Sequence, residues 1–134
     1  MTTPDTSVVV AAFVRWHERH DEARTAVAEA ENLIGHVAVE TLSVLTRLPS
    51  PRRLDGELVI GLLDRHFSAP MLVLDPDGYR GVLELARSGG LRGGAVYDAL
   101  VATTARAAGA TLVTLDRRAE QTYRLVGGDV KSLA

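Results

Sequence analysis

At 134 residues the chain is long enough for one domain with a real core and shows no sign of a second. It has no cysteine, which excludes a disulfide framework, a thiol nucleophile and a cysteine-based zinc site and fits a reducing cytoplasm. The net charge of −2 argues against a plain basic-patch nucleic-acid binder, and six aromatic residues are too few for an extended base-stacking platform.

No apolar run approaches the roughly 20 residues that span a bilayer, and the first ten residues lack a basic signal-peptide start. A soluble, cytoplasmic protein is expected. Residues 1–5 read as a short first strand, although Pro4 cannot donate a ladder hydrogen bond. Asp5-Thr6-Ser7 is a capping signal for a helix over 7–14, and 16–31 continue in helical pattern. In Trp16-His17-Glu18-Arg19-His20 the two histidines are three apart, whereas a zincin motif needs four, so both read as surface histidines. Residues 33–38 read as a strand and 39–48 as a helix with Leu42, Leu45 and Leu48 on one face, which puts Glu40 in its first turn. Pro49-Ser50-Pro51 ends that helix. Residues 54–67 form another, on which Leu58, Leu62 and Leu63 recur at helical spacing. A strand over 71–74 leads to Asp75-Pro76-Asp77-Gly78, which caps a helix over 79–88.

The most constrained stretch follows the glycine-rich loop 89–94. A helix over 95–108 stops at Gly109, a strand runs over 111–115, and Asp116 ends it. The helix rises roughly 20 Å and the strand returns roughly 16 Å, so Asp98 in the first helical turn and Asp116 come level at one edge. After Asp116 a helix of at most 117–122 and an edge strand at 130–132 are expected. Alternation of strand and helix calls for a mostly parallel sheet covered on both faces, with every strand-to-helix junction at one edge. Asp5, Glu40, Asp75, Asp98 and Asp116 all belong to that edge, where open α/β sheets bind ligands.

Singly, each acid has an ordinary role as a cap or a dipole partner. Together they repel, by roughly 4 kcal/mol per pair at 4 Å and an effective dielectric of 20 as an upper guide. A hard divalent cation offsets that, and Mg²⁺ or Mn²⁺ on carboxylates suits phosphodiester hydrolysis. Of the 17 acidic residues, four in such a site would leave 13 against 15 basic ones, a mildly basic surface around an acidic pocket.

Asp5-Thr6-Ser7, Val39-Glu40-Thr41-Leu42, Tyr97-Asp98-Ala99-Leu100 and Thr114-Leu115-Asp116-Arg117-Arg118 together resemble a PIN-domain ribonuclease of the VapC toxin type, over essentially the whole chain. The resemblance implies a three-layer α/β fold with a five-stranded sheet of order 3-2-1-4-5. It also implies Mg²⁺-dependent (or Mn²⁺-dependent) RNA cleavage, a homodimer and a small cognate antitoxin. Carried over by position, Asp5, Asp98 and Asp116 would be the metal-side carboxylates and Glu40 would complete the catalytic pocket. Ser7 and Thr114 would be supporting hydroxyls, and Arg92, Arg117 and Arg118 would contact RNA. Asp75 falls on the far-edge strand and is left as a helix cap. Thr2-Thr3-Pro4 departs from the aliphatic run the family has before its first acid, which implies an abbreviated first strand or a start upstream of Met1.

Two other classes compete. A phosphoacceptor receiver domain has similar architecture, but the sole lysine, Lys131, stands at the C-terminus with no helix after it. A PIN fold that binds RNA or a partner without cutting is the nearer alternative.

Overall fold

A computed structural model describes all residues, 1–134. In chain order the elements are β1 (Thr2–Pro4), α1 (Thr6–Phe13), α2 (His20–Glu29), α3 (Gly35–Thr46), α4 (Gly56–His66), α5 (Pro76–Gly89), α6 (Gly94–Ala107), β2 (Thr111–Thr114), α7 (Arg117–Val126) and β3 (Val130–Ser132). The sheet is parallel with β2 in the middle, flanked by β1 and β3. Thr3 pairs with Leu112 and Pro4 with Val113 on one side of β2, and Leu112 pairs with Val130 on the other.

Three strands form where five were expected, and Pro4 supplies a physical reason. The backbone N–H of Asp5 donates to Val113 O at 2.9 Å, so odd-numbered residues of β1 face β2. Pro4 therefore turns its donorless nitrogen toward the segment around Asn32, where a second strand would pair. That flank is joined instead by a side chain, Thr3 Oγ1 donating to Asn32 O at 3.1 Å. Beyond it, residues 33–34 and 71–74 meet only in a single parallel bridge between Ile34 and Leu72.

Helix α3 begins at Gly35, so residues 35–38 are helical rather than strand. Val37, Ala38, Thr41 and Leu45 are buried, a helical spacing that lays one face on the core and overrides the β-branched valines. Glu40 accordingly sits in the second turn of α3. Asp98 likewise falls in the second turn of α6, because that helix starts at Gly94. The helix expected over 16–31 is interrupted. Residues 14–20 turn through His17 N–H to Val14 O and His20 N–H to His17 O, and the His17 ring accepts the N–H of Arg19. On α4, Val59 and Leu63 carry the buried face while Leu58 is exposed. Helix α7 runs to Val126, a full turn past its expected end, and places Tyr123 inside.

The core is one continuous cluster of 27 buried residues, with Val8, Val9, Leu33, Ile34, Val37, Leu45, Val59 and Leu112 essentially sealed from solvent. No helix is long and apolar enough to cross a membrane. The carboxyl ends of β1 and β2 open on the same edge, toward which α3 and α6 present acids.

Candidate active site

Asp5 lies immediately after β1, is buried, and caps α1 by accepting the N–H of Val8 at 3.2 Å. Its carboxylate is the most heavily bonded group in the chain. Ser7 Oγ donates to Oδ1 at 2.5 Å, while Thr114 Oγ1 at 2.5 Å and the Tyr123 hydroxyl at 2.8 Å donate to Oδ2. Burial nevertheless holds its pKa above the ordinary carboxylate value, outweighing the four donors that favour the charged form. Tyr123 is pushed up as well, by its own burial first and then by the adjacent Asp5 charge.

Thr114, at the end of β2, accepts the N–H of Asp116 at 2.9 Å while donating to Asp5. Ser7 performs the same double duty, accepting the N–H of Leu115 at 2.9 Å. These two hydroxyls tie the ends of β1 and β2 together. Asp116 then caps α7 through Oδ1, which accepts the N–H groups of Arg118 at 3.0 Å and Ala119 at 3.1 Å. Glu40 reaches the same edge from α3, accepting the Thr6 hydroxyl on Oε1 and lying 3.6 Å from His36 Nε2 through Oε2.

Asp5, Glu40, Asp98 and Asp116 line one cavity of about 50 Å³, with Ser7 and Tyr123 in its walls. That is room for one or two water-sized species. Asp98 is the electrostatic centre. Its pKa is raised from 3.8 to about 6, by burial first and then by the charge of Asp116, with smaller contributions from Glu40 and Asp5; Arg118 pulls the other way. Arg92 and Arg118 border a neighbouring hollow that Asp98 shares, and Arg117 and Arg118 border an open groove alongside Glu40 and Asp116. Asp75 lies outside the cavity, capping α5 by accepting the N–H of Gly78 at 2.7 Å. A separate hollow of about 440 Å³ between α1, α2 and α4 is lined by Arg15, Arg24 and Arg65 and by no acid, so it offers no comparable chemistry.

No three of these carboxylates close into a ready set of ligands. The donor set still fits a hard divalent cation. It consists of oxygen atoms, and its negative charge is offset only by Arg118 among the groups that shift Asp98.

Sequence reasoning missed Thr6, Tyr123 and His36. Tyr123 was legible as the residue seven after Asp116, two turns along one helix face, once α7 is taken to its full length. Thr6 belongs to the capping signal, which carries no hint of its bond to Glu40.

Linkage follows from Asp98. Its raised pKa means that the folded chain binds a proton more tightly than the unfolded one, so the associated stability is present below pH 3.8 and is lost as pH rises through about 6. Buried Asp5 acts in the same direction. Without divalent ions, urea denaturation is expected to show falling stability between pH 4 and 6, less steeply in Asp98→Asn. Identical pH dependence in the two proteins would contradict the clustering.

A parallel sheet whose carboxyl edge gathers acids from two strand ends and two helices is the ground plan of a PIN domain. That family matches residues 3–125, and the chain belongs to it. Its relatives include Ribonuclease VapC40 of Mycobacterium tuberculosis, 47% identical over 131 residues that cover 98% of each protein. Ribonuclease VapC27 of the same organism is 42% identical over 124 residues, covering 92% of this chain and 90% of the relative. Among solved structures, the fold resembles that in VapBC2 from Rickettsia felis bound to a promoter DNA fragment, with a TM-score of 0.68 and 15% identity over 99% of this chain and 98% of the other. The structure of FitAB bound to the IR36 DNA fragment gives a TM-score of 0.66 and 20% identity over 98% and 94%. At those identities the two structures speak to fold alone.

Proposed function

We propose that this chain is an endoribonuclease that hydrolyses RNA phosphodiester bonds with Mg²⁺ or Mn²⁺, and that it is the toxin of a toxin–antitoxin pair. The observation that carries the reading is the convergence of Asp5, Glu40, Asp98 and Asp116 on one small cavity, where burial and the neighbouring charges raise the Asp98 pKa to about 6. Helix caps and dipole partners have no reason to converge on one cavity, whereas the ligands of one cation must. The names of the two ribonuclease relatives give the substrate class.

In this reading Asp5, Asp98 and Asp116 would hold the ion, and Glu40 would complete the pocket. When bound, such an ion supplies a lowered pKa for water and neutralises charge growing on the phosphodiester. Glu40, which lines the cavity, would orient the attacking water. Asp5 is fixed by Ser7, Thr114 and Tyr123 and sets the geometry for the rest. Arg92, Arg117 and Arg118 stand at the rim, where they contact RNA phosphates and draw a polyanion toward an otherwise acidic cavity.

The same reading makes the whole chain one PIN unit working in the cytoplasm as a homodimer, neutralised by a small antitoxin. It also takes residues 33–34 and 71–74 as reduced second and third strands in the order 3-2-1-4-5, supported by the Ile34–Leu72 bridge and the Thr3–Asn32 bond. Incubating the purified chain with single-stranded RNA tests the activity. Cleavage is expected with Mg²⁺ or Mn²⁺ and is expected to stop on chelation; cleavage that survives chelation would overturn the ion's role, and none under any condition would leave a binding module.

A further inference from the structure

The rim of the cavity carries a large ring that neither the core nor the carboxylate network uses. Tyr97 directly precedes Asp98, lines the cavity with the four acids, and has 55% of its surface exposed. Tyr123 lines the same cavity but is buried, with its hydroxyl committed to Asp5. The two tyrosines are therefore doing different things.

One face of Tyr97 lies on the His36 ring, with centroids 5.2 Å apart and planes inclined by 9°. That is an offset stack. His36 is itself partly buried, with its Nε2 closed off from solvent and 3.6 Å from Glu40 Oε2 one helical turn along α3. The stack thus links the helix that carries Glu40 to the helix that carries Asp98. An exposed tyrosine on its own would have to be ordered on binding. Backed by a second ring, it is already ordered and keeps one face free.

Single-stranded RNA offers flat, unpaired bases that stack on aromatic side chains. We propose that Tyr97, backed by His36, is the stacking platform for one nucleobase adjoining the phosphodiester held at the acids, Tyr97 positioning the substrate and His36 positioning Tyr97. The inference rests on the ribonuclease reading above. Because every base has a π-face, the platform adds affinity and register without selecting one base, and a single ring serves one nucleotide.

The probe is a short single-stranded oligoribonucleotide carrying 2-aminopurine, whose fluorescence is quenched by stacking. Cleavage of this oligonucleotide by the wild type in Mg²⁺ tests the underlying reading: no cleavage removes that reading and the inference with it. Binding is then measured in the non-cleaving Asp98→Asn background. Tyr97→Ala is expected to weaken it about tenfold and to relieve the quench, while Tyr97→Phe retains both. His36→Ala is expected to lose part of the affinity, and His36→Ala with Tyr97→Ala to bind no worse than Tyr97→Ala alone, because the two rings act as a unit. If the wild type cleaves but Tyr97→Ala binds with unchanged affinity and quench, the platform does not exist. A shift in oligomeric state on size exclusion, with RNA affinity unchanged, would place the ring under a second copy of the chain and equally overturn the proposal.

Discussion

Asp98→Asn is expected to reduce RNA cleavage by at least about 10²–10³-fold, the scale of losing one preorganised electrostatic group, while the protein stays folded. Asn keeps the shape of the side chain and removes its charge. On the proposed reading the reaction uses that charge, which burial and the charges of Asp116, Glu40 and Asp5 all disfavour in the metal-free fold. The thermal midpoint at neutral pH is therefore expected to equal or exceed that of the wild type when no divalent ion is present. Cleavage assays with circular dichroism melts on the same samples check both halves. A variant that cleaves at the wild-type rate would remove Asp98 from the chemistry, and one that is inactive because it is unfolded would make it structural.

Asp5→Ala is expected to behave differently, losing cleavage and stability together. It strands the hydroxyls of Ser7, Thr114 and Tyr123 and leaves α1 without its cap. A buried unsatisfied polar group costs roughly 1–3 kcal/mol and a lost cap roughly 1. Relief of the buried charge and re-pairing among the hydroxyls offset part of this. A net loss of about 3 kcal/mol is expected, or roughly 10 °C in the melting midpoint for a chain of this size. Asp5→Asn retains an acceptor for Val8 and should lose far less stability while still losing activity. If Asp5→Ala melted with the wild type, the hub formed by Ser7, Thr114 and Tyr123 would not be holding the strand ends together.

Much of this edge could be read from residue types and spacing. The turn, helix, stop and strand from Gly93 to Asp116 leave little freedom, because a helix and a returning strand of those lengths must bring Asp98 and Asp116 level. Asp98 and Asp116 do line one cavity, where Asp5 and Glu40 join them; the edge rule alone also admitted Asp75, which stays apart as a helix cap. The sheet was less legible. Residues 33–38 are β-branched and aliphatic enough for a strand, yet the burial of Val37, Thr41 and Leu45 at helical spacing decides for α3, and such a choice depends on what the segment packs against. Pro4 announced a weak first strand. Its consequence, a ladder missing on one flank, needed the register of β1 against β2, which no local pattern reveals. The roles of Thr6, His36 and Tyr123 were hidden because each joins residues at least 34 positions apart or lies on a helix whose end was read too early.

Titration of the metal-free chain with Mn²⁺ tests most directly whether these carboxylates take a divalent cation. Saturable binding that raises the melting midpoint is expected for the wild type, because an ion that binds only the folded state stabilises it. In Asp98→Asn the affinity is expected to fall at least about tenfold. No saturable binding by the wild type, or equal binding by the two proteins, would contradict the account.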